Sequence, residues 1–344
     1  MKILVLGSFP PLLNCRGTEI FDDLIANLRL EGIQAEGFRI PFSREPAEHL
    51  VEEMAIVRRI RMSNVDRVIA LNFPAYLVYW PAKVLWLMHQ HREAYDLRDE
   101  GKSNIGVDLR GQQLAAAIRT SDRLAFSESQ KIHTFSSITS RRLMEYNAVS
   151  SSVLHPPISR PELFWNEDSD GYVFAPGKVC RSNRQHLLIR ALRHLPRVRL
   201  VIAGPADMEE AGFLWRLVDE EKAGDRVTLD LRHLSRADLA RFVNHCLAVA
   251  WLPSEEDPLG IRYIPEAFEA GKPVLTTSDT TDALEFVRDA ETGVVVEPQP
   301  EALGHGMAVL ADDPAMATRL GRAAYDLVRT ASLNWPAVIK RLAE

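Results

Sequence analysis

Apolar positions along this chain alternate between short unbroken runs and runs that recur every three to four residues. Ile3 to Leu6 is unbroken, as in a parallel strand buried on both faces. Gly7, Pro10, Pro11 and Gly17 follow, then Ile20, Leu24, Leu28 and Leu30 at near-helical spacing, stopped by Gly32. A strand over Ala35–Ile40 completes a strand–helix–strand unit. The pattern predicts further strands at Val68–Leu71, Val84–Met88, Ile132–Phe135 and Val153–Leu154, and helices at Gln112–Leu124 and Ile138–Tyr146. His155-Pro156-Pro157 then ends regular structure. Alternation restarts at Tyr172–Ala175, with strands at Arg199–Ala203, Arg226–Leu229, Leu247–Trp251, Pro273–Thr276 and Gly293–Val296. Helices at Gln185–Leu195, Glu209–Lys222, Arg236–Asn244 and Pro265–Ala270 lie between them, and two or three more close the chain.

This is an α/β pattern of two doubly wound, Rossmann-like halves in tandem, joined near residues 155–165 and expected to face each other across a cleft. Open parallel sheets bind ligands beyond the carboxyl ends of their strands, so the loops after strands are where chemistry is expected.

Composition narrows the reading. A length of 344 residues suits two domains. Lys plus Arg is 41 against 47 for Asp plus Glu, a formal charge of −6, and that mild acidity argues against a nucleic-acid binder. Cys15, Cys180 and Cys246 lie far apart with no CxxC, so neither a disulfide framework nor a zinc site is expected. No apolar run reaches the roughly eighteen residues of a membrane span. The first strand leaves too little before it for a signal peptide, so the expectation is a cytoplasmic protein. Arg58, Arg59 and Arg61 form a basic run near apolar residues, which suits either a solvated helix face or a peripheral contact with the inner face of the membrane.

Residues 251–297 carry the most information. A strand end runs into an acidic cluster, Ser254-Glu255-Glu256-Asp257-Pro258, then Leu259-Gly260-Ile261 and a helix start, Tyr263-Ile264-Pro265-Glu266-Ala267-Phe268-Glu269-Ala270-Gly271-Lys272-Pro273-Val274. Backbone N–H groups at such a start can hold a phosphate, and the carboxylates can accept hydrogen bonds from sugar hydroxyls. This stretch resembles the signature of the GT-B-fold retaining glycosyltransferases of family 4, the glycosyl transferases group 1. That signature has two glutamates separated by seven residues, the second opening a helix that ends in Ala-Gly-x-Pro-Val.

Several other segments resemble the same family in order and spacing: Ala70–Val78, Leu87–Leu97, His155-Pro156-Pro157 and Val201-Ile202-Ala203-Gly204-Pro205. The resemblance implies that residues 1–158 form an acceptor-side domain and 159–325 a donor domain. Residues 326–344 would form a terminal helix that packs back on the first domain.

Roles follow from the same resemblance. Glu266 would bind the donor ribose, with Gly260 and Ile261 beside it. Asp257 or Glu256, spaced one or two residues too far from Glu266, would stand for the first glutamate and hold the transferred sugar. His89, just after an apolar strand, would lie near that sugar. Gly17 replaces the second residue of a Gly-Gly pair and would let backbone approach the donor; Arg16 replaces the first. Lys178 takes the place of the diphosphate-binding Arg and Asn183 that of the Lys five residues on, with Arg181 as the compensating cation. Arg184 reads as a solvated helix start, and Asp282 as an added negative charge near the phosphates.

His89 and His91 form a His-x-His pair with no third ligand evident, so neither a metal nor a cofactor is expected; the nucleotide-diphosphate sugar is a co-substrate. The acceptor would be a hydroxyl of a glycan, a lipid-linked sugar or a small molecule. Two other readings stay open: a non-catalytic homologue that binds a partner, and a nucleotide-sugar epimerase or hydrolase on the same fold.

Overall fold

The computed structural model describes residues 1–12, 16–256, 259–331 and 333–344, and every side chain among them except that of His194. It divides into two compact units, Met1–Ser159 with Leu333–Glu344, and Arg160–Ser332.

The first unit is a six-stranded parallel sheet of β1 (Lys2–Phe9), β2 (Gln34–Pro41), β3 (Arg67–Ala70), β4 (Lys83–Leu87), β5 (Lys131–Thr134) and β6 (Ser152–Val153). Its order is β2-β1-β3-β4-β5-β6. Val5 pairs with Gly37 on one side and with Ile69 on the other. The helices are α1 (Arg16–Leu30), α2 (Leu50–Arg58), a single turn α3 (Asp96–Asp99), α4 (Leu109–Ser127) and α5 (Ser137–Asn147). The expected strand Val84–Met88 is β4, all five of whose residues are buried, which explains why its sequence shows no alternation. The α2 helix escaped the pattern because its stripe is a narrow seam, Leu50, Met54 and Val57.

The second unit repeats the architecture with β7 (Tyr172–Pro176), β8 (Arg199–Ala203), β9 (Val227–Asp230), β10 (Ala248–Ala250), β11 (Val274–Thr277) and β12 (Gly293–Val296), in the order β12-β11-β10-β7-β8-β9. Its helices are α6 (Gln185–Ala191), α7 (Met208–Glu220), α8 (Arg236–His245), α9 (Tyr263–Glu269), α10 (Pro300–Asp312) and α11 (Pro314–Thr330). The last helix, α12 (Trp335–Ala343), belongs to the first unit. Its Trp335 meets the buried Trp86 edge to face with ring centroids 6.0 Å apart, and Arg67 donates to the carbonyl of Leu342 at 3.1 Å. Among the described residues, no helix is long and apolar enough to cross a membrane.

The first core contains a polar knot. Asp122 on α4 is fully buried, and its two carboxylate oxygens each accept a tyrosine hydroxyl, from Tyr76 and Tyr95, both at 2.9 Å. Burial pushes the Asp122 carboxyl up from 3.8 to about 7, against the two hydrogen bonds that lower it. The folded state therefore keeps a proton that the unfolded chain releases. The resulting penalty is absent below about pH 4, grows as pH rises to about 7, and is constant above that. Asp122→Asn carries no such penalty, so its stability relative to the parent should improve across this window. His89 and His91 titrate in the opposite sense but are common to both proteins. Urea midpoints of the two at about pH 4.5 and about pH 8 read the change, and a gap that does not move with pH would contradict the assignment.

Candidate functional site

The loops beyond the carboxyl ends of the second sheet hold most of the singled-out residues. After β7 the chain turns at Gly177, whose φ of 103° lies in the left-handed region. A Cβ on Gly204, in the loop after β8, would lie 2.0 Å from the Gly177 carbonyl oxygen, so the two loops touch backbone to backbone. Lys178 is exposed at the turn. Asn183 turns its amide inward and donates to the Lys178 carbonyl at 2.7 Å, and Gln185 donates to the same oxygen at 3.0 Å. Arg181, in the turn Arg181–Asn183, packs its side chain against α7, 2.9 Å from the Glu210 carboxylate and 3.6 Å above the Phe213 ring.

Arg184 departs from its sequence reading. It is buried with only 9 % exposure, where a solvated helix start was expected. The reason is local: its φ of 55° as the residue before α6 turns the side chain under the sheet ends instead of outward. There it donates to the carbonyls of Leu252 and Pro253, the hydroxyls of Thr277 and Thr280, and both carboxylate oxygens of Asp279.

Beyond β10, Ser254 donates its backbone N–H to the Ser182 carbonyl at 2.8 Å, and Glu255 and Glu256 are half-buried. Asp257 lies outside the described residues. Gly260 and Ile261 are buried in a single 3-10 turn, Gly260–Arg262, that leads into α9. Glu266 sits in the first turn of α9 with no exposed surface, and Arg236 at the start of α8 donates to it at 2.6 Å. The Arg236 guanidinium also lies 4.8 Å from the Phe164 ring. Asp282 is buried and caps the turn Ala283–Glu285, its carboxylate accepting the Ala283 N–H at 2.9 Å.

The first unit carries His89 and Gly17. His89 follows β4 and donates from Nδ1 to the Gln90 carbonyl at 2.5 Å. Burial, then the charges of Arg44, Arg142 and Arg92, push it down to about 3, so its ring is neutral at physiological pH. His91 is buried against Phe73 with centroids 4.7 Å apart, and desolvation pushes it down to about 4 despite the nearby Glu93. Among the described residues, no group of three His, Cys, Asp or Glu is placed to hold a metal ion. Gly17 is buried in the first turn of α1, after Arg16; Cys15 lies outside the described residues.

The structure thus gathers Lys178, Arg181, Glu256, Gly260, Ile261 and Glu266 on loops and helix starts at one end of the second sheet. It places His89 and Gly17 in the other unit. Arg236 had no sequence signal, because its partner Glu266 lies 30 residues away.

Residues 159–327 match the family model of glycosyl transferases group 1, which takes in nearly the whole second unit. The second unit belongs to the glycosyl transferases group 1. The chain as a whole has the GT-B fold. Aligned over all of this chain and 98 % of its own, HepE of Anabaena in complex with UDP and glucose is 17 % identical with a TM-score of 0.71. Sucrose-phosphate synthase of Thermosynechococcus elongatus is 16 % identical over the same shares, with a TM-score of 0.76. WaaG, a glycosyltransferase involved in lipopolysaccharide biosynthesis, is 15 % identical over 99 % of this chain and 98 % of its own, with a TM-score of 0.72. No curated protein matches the sequence significantly. In the group 1 frame, the Ala-Gly-Lys-Pro-Val stretch is the end of α9 and the start of β11, which sets Glu266 one turn into the helix under the β10 loop.

Proposed function

We propose that this protein is a retaining glycosyltransferase that moves a sugar from a nucleotide-diphosphate donor to a hydroxyl of a glycan, lipid-linked or small-molecule acceptor. The observation that carries the reading is the buried Glu266 at the head of α9, in register with the group 1 signature and oriented by Arg236. HepE, of the same fold, was crystallised with UDP-glucose, which supports a donor of that class. In this reading Glu266 accepts the ribose hydroxyls and Gly260 and Ile261 lie along the donor. Lys178 and Arg181 oppose the charge that develops on the departing diphosphate, and Glu256 or Asp257 holds the sugar. Basic side chains take the place of a metal. The departing phosphate oxygen takes the acceptor proton, so no separate strong base is required. Product analysis by NMR tests this: a glycoside with the donor's anomeric configuration is expected, and inversion would overturn the retaining mechanism.

His89, being neutral, serves as a hydrogen-bonding partner of the transferred sugar and not as a general acid. His89→Ala should lower kcat/KM by about a hundredfold, as expected for loss of one stabilising hydrogen bond, with no histidine limb in the pH–rate profile between about pH 5 and about pH 8. A limb in that range that disappears in the variant would show that His89 titrates during turnover.

A second reading, a non-catalytic homologue, is favoured by one observation: Asn183 and Arg181 both bond to the protein's own groups. Titration with nucleotide-diphosphate sugars separates the two: the enzyme must bind a donor, and failure to bind any of them favours the second reading.

The proposed place of work is the cytoplasm, with the first unit against the inner membrane face. Val51, Ile56, Tyr79 and Leu124 are large apolar side chains exposed on this unit. Val51, Ala55, Leu77 and Leu124 line one groove with Arg58, and Ile60, Met62, Tyr79 and Trp80 another with Arg61. The segment 54–62 has three arginines and no acidic residue; Arg58 is paired with Glu128, which leaves Arg59 and Arg61 to meet the surface. Arginines near an anionic surface contribute about 1 kcal/mol each. Sedimentation with phosphatidylglycerol vesicles should capture the protein and Ile56→Glu should weaken capture; equal binding to purely zwitterionic vesicles would contradict the charge argument.

A further inference from the structure

Arg184 is bonded to five other residues at the sheet end, and the proposed mechanism leaves it without a role. Its donors meet acceptors on two other loops. Nε donates to the Leu252 carbonyl at 2.5 Å, and Nη2 reaches the Pro253 carbonyl at 3.3 Å; both carbonyls follow β10. Nη2 also reaches the hydroxyls of Thr277 at 2.9 Å and Thr280 at 3.1 Å, at and after the end of β11. Nη1 and Nη2 take the Asp279 carboxylate as a fork, at 2.8 and 2.9 Å. The same two loops are joined again by Thr280 Oγ1 donating to the Pro253 carbonyl at 3.1 Å and Thr276 Oγ1 donating to the Trp251 carbonyl at 2.7 Å.

The residue therefore ties three loops together: its own after β7, the one after β10 and the one after β11. These loops carry Lys178, Arg181 and Asn183; Glu255 and Glu256; and Asp282. We infer that Arg184 is the positioning residue of the donor site, a guanidinium clamp that fixes these three loops in one arrangement. With its donors engaged by the protein's own oxygens, it acts through the loops and not by touching donor phosphate. A lysine cannot replace it, because a point charge with three rotatable donors cannot fork Asp279 and reach both loops. The inference rests on the proposed donor site, and it adds a chemical reason for the loss of the second basic residue: the cation at 184 is committed to holding the loops.

The backbone supplies a clean test. At φ 55° glycine is at ease, so Arg184→Gly removes the guanidinium without adding backbone strain. Two readings on the full chain, taken well below the melting temperature, separate the outcomes. First, amide hydrogen exchange across 252–256 and 277–283 should accelerate in Arg184→Gly and partly in Arg184→Lys, while the first unit is unchanged. Unaltered protection there overturns the clamp, whether or not any donor binds. Second, the Kd for UDP-glucose should rise about ten- to a hundredfold in Arg184→Gly, as expected when loop-borne contacts are misplaced, with KM for the acceptor unmoved. Faster exchange with unchanged donor affinity reduces Arg184 to a structural residue and overturns its positioning role. If the parent protein binds no nucleotide sugar, the donor reading fails, and the exchange data still decide the clamp.

Discussion

Replacing Glu266 by Ala is expected to destabilise the second unit by about 3–5 kcal/mol, the range seen when one partner of a buried ion pair is removed. The carboxylate has no exposed surface, and Arg236, whose side chain is 12 % exposed, donates to it at 2.6 Å. Without the carboxylate, the guanidinium loses this partner in a setting where water replaces it poorly. For a unit of this size the loss corresponds to a fall in melting temperature of roughly 10 °C. Glu266→Gln keeps an acceptor oxygen and should lose less. Arg236→Ala should cost a similar amount, and the double variant less than the sum of the singles, since both remove the same interaction. Calorimetric melting of the parent and the four variants reads this. A change of under about 2 °C in Glu266→Ala would mean that the pair contributes nothing net. The same variant should lose donor affinity at temperatures where it is folded, because the proposed ribose contact, which requires the carboxylate to be uncovered as the donor enters, is a charge-assisted bond of about 1.5–3 kcal/mol.

Gly204→Ala is expected to be the most damaging single-methyl change in the second unit, at more than about 4 kcal/mol. Two effects coincide. The φ of 151° is one that L side chains rarely adopt, and the added Cβ would sit 2.0 Å from the Gly177 oxygen and 2.6 Å from its carbonyl carbon. Neither strand end can yield cheaply. Gly177 donates to the Ala203 carbonyl at 3.0 Å, Val179 to the Pro205 carbonyl at 2.9 Å, and Gly204 itself to the Asp230 carbonyl at 3.0 Å. The clash must therefore push apart β7 and β8, or the loops that carry Lys178 and Arg181. Gly224→Ala, where a Cβ meets nothing within 4 Å, is the control and should be near neutral. Recovery of Gly204→Ala as a soluble protein melting within a few degrees of the parent would contradict the geometry.

How far the sequence could be read depends on where the determinants lie. The strands were legible because strands buried on both faces must be short, largely apolar runs; β4 and β7, buried at every position, are of this kind. The site's scaffold was legible at α9, because a Glu, an Ala-Gly turn and a Pro before a strand occur in one local order. What was not legible depends on contacts distant in sequence. Arg236 and Glu266 are 30 residues apart, and nothing in either neighbourhood announces the other. Arg184 was misread because exposure is the default for an Arg at a helix start, and neither its left-handed backbone nor the acceptors 68 to 96 residues away can be seen from its own segment. Asp282 looked like a charge aimed at phosphates, whereas its buried carboxylate caps the next turn.

Catalyst and binding protein place different demands on the side chains of the diphosphate loop. Lys178 is exposed at its tip, Arg181 is drawn onto α7, Asn183 closes the loop on itself, and Arg184 is held beneath it. A catalyst needs Lys178 and a released Arg181 to meet the donor; a binding protein needs neither. Isothermal titration of the full chain with UDP-, GDP-, dTDP- and ADP-sugars decides between them most directly. Saturable one-to-one binding of at least one of these donors is expected, weakened in Lys178→Ala and in Arg181→Ala. Absence of binding heat and of any thermal shift with all four classes would contradict it.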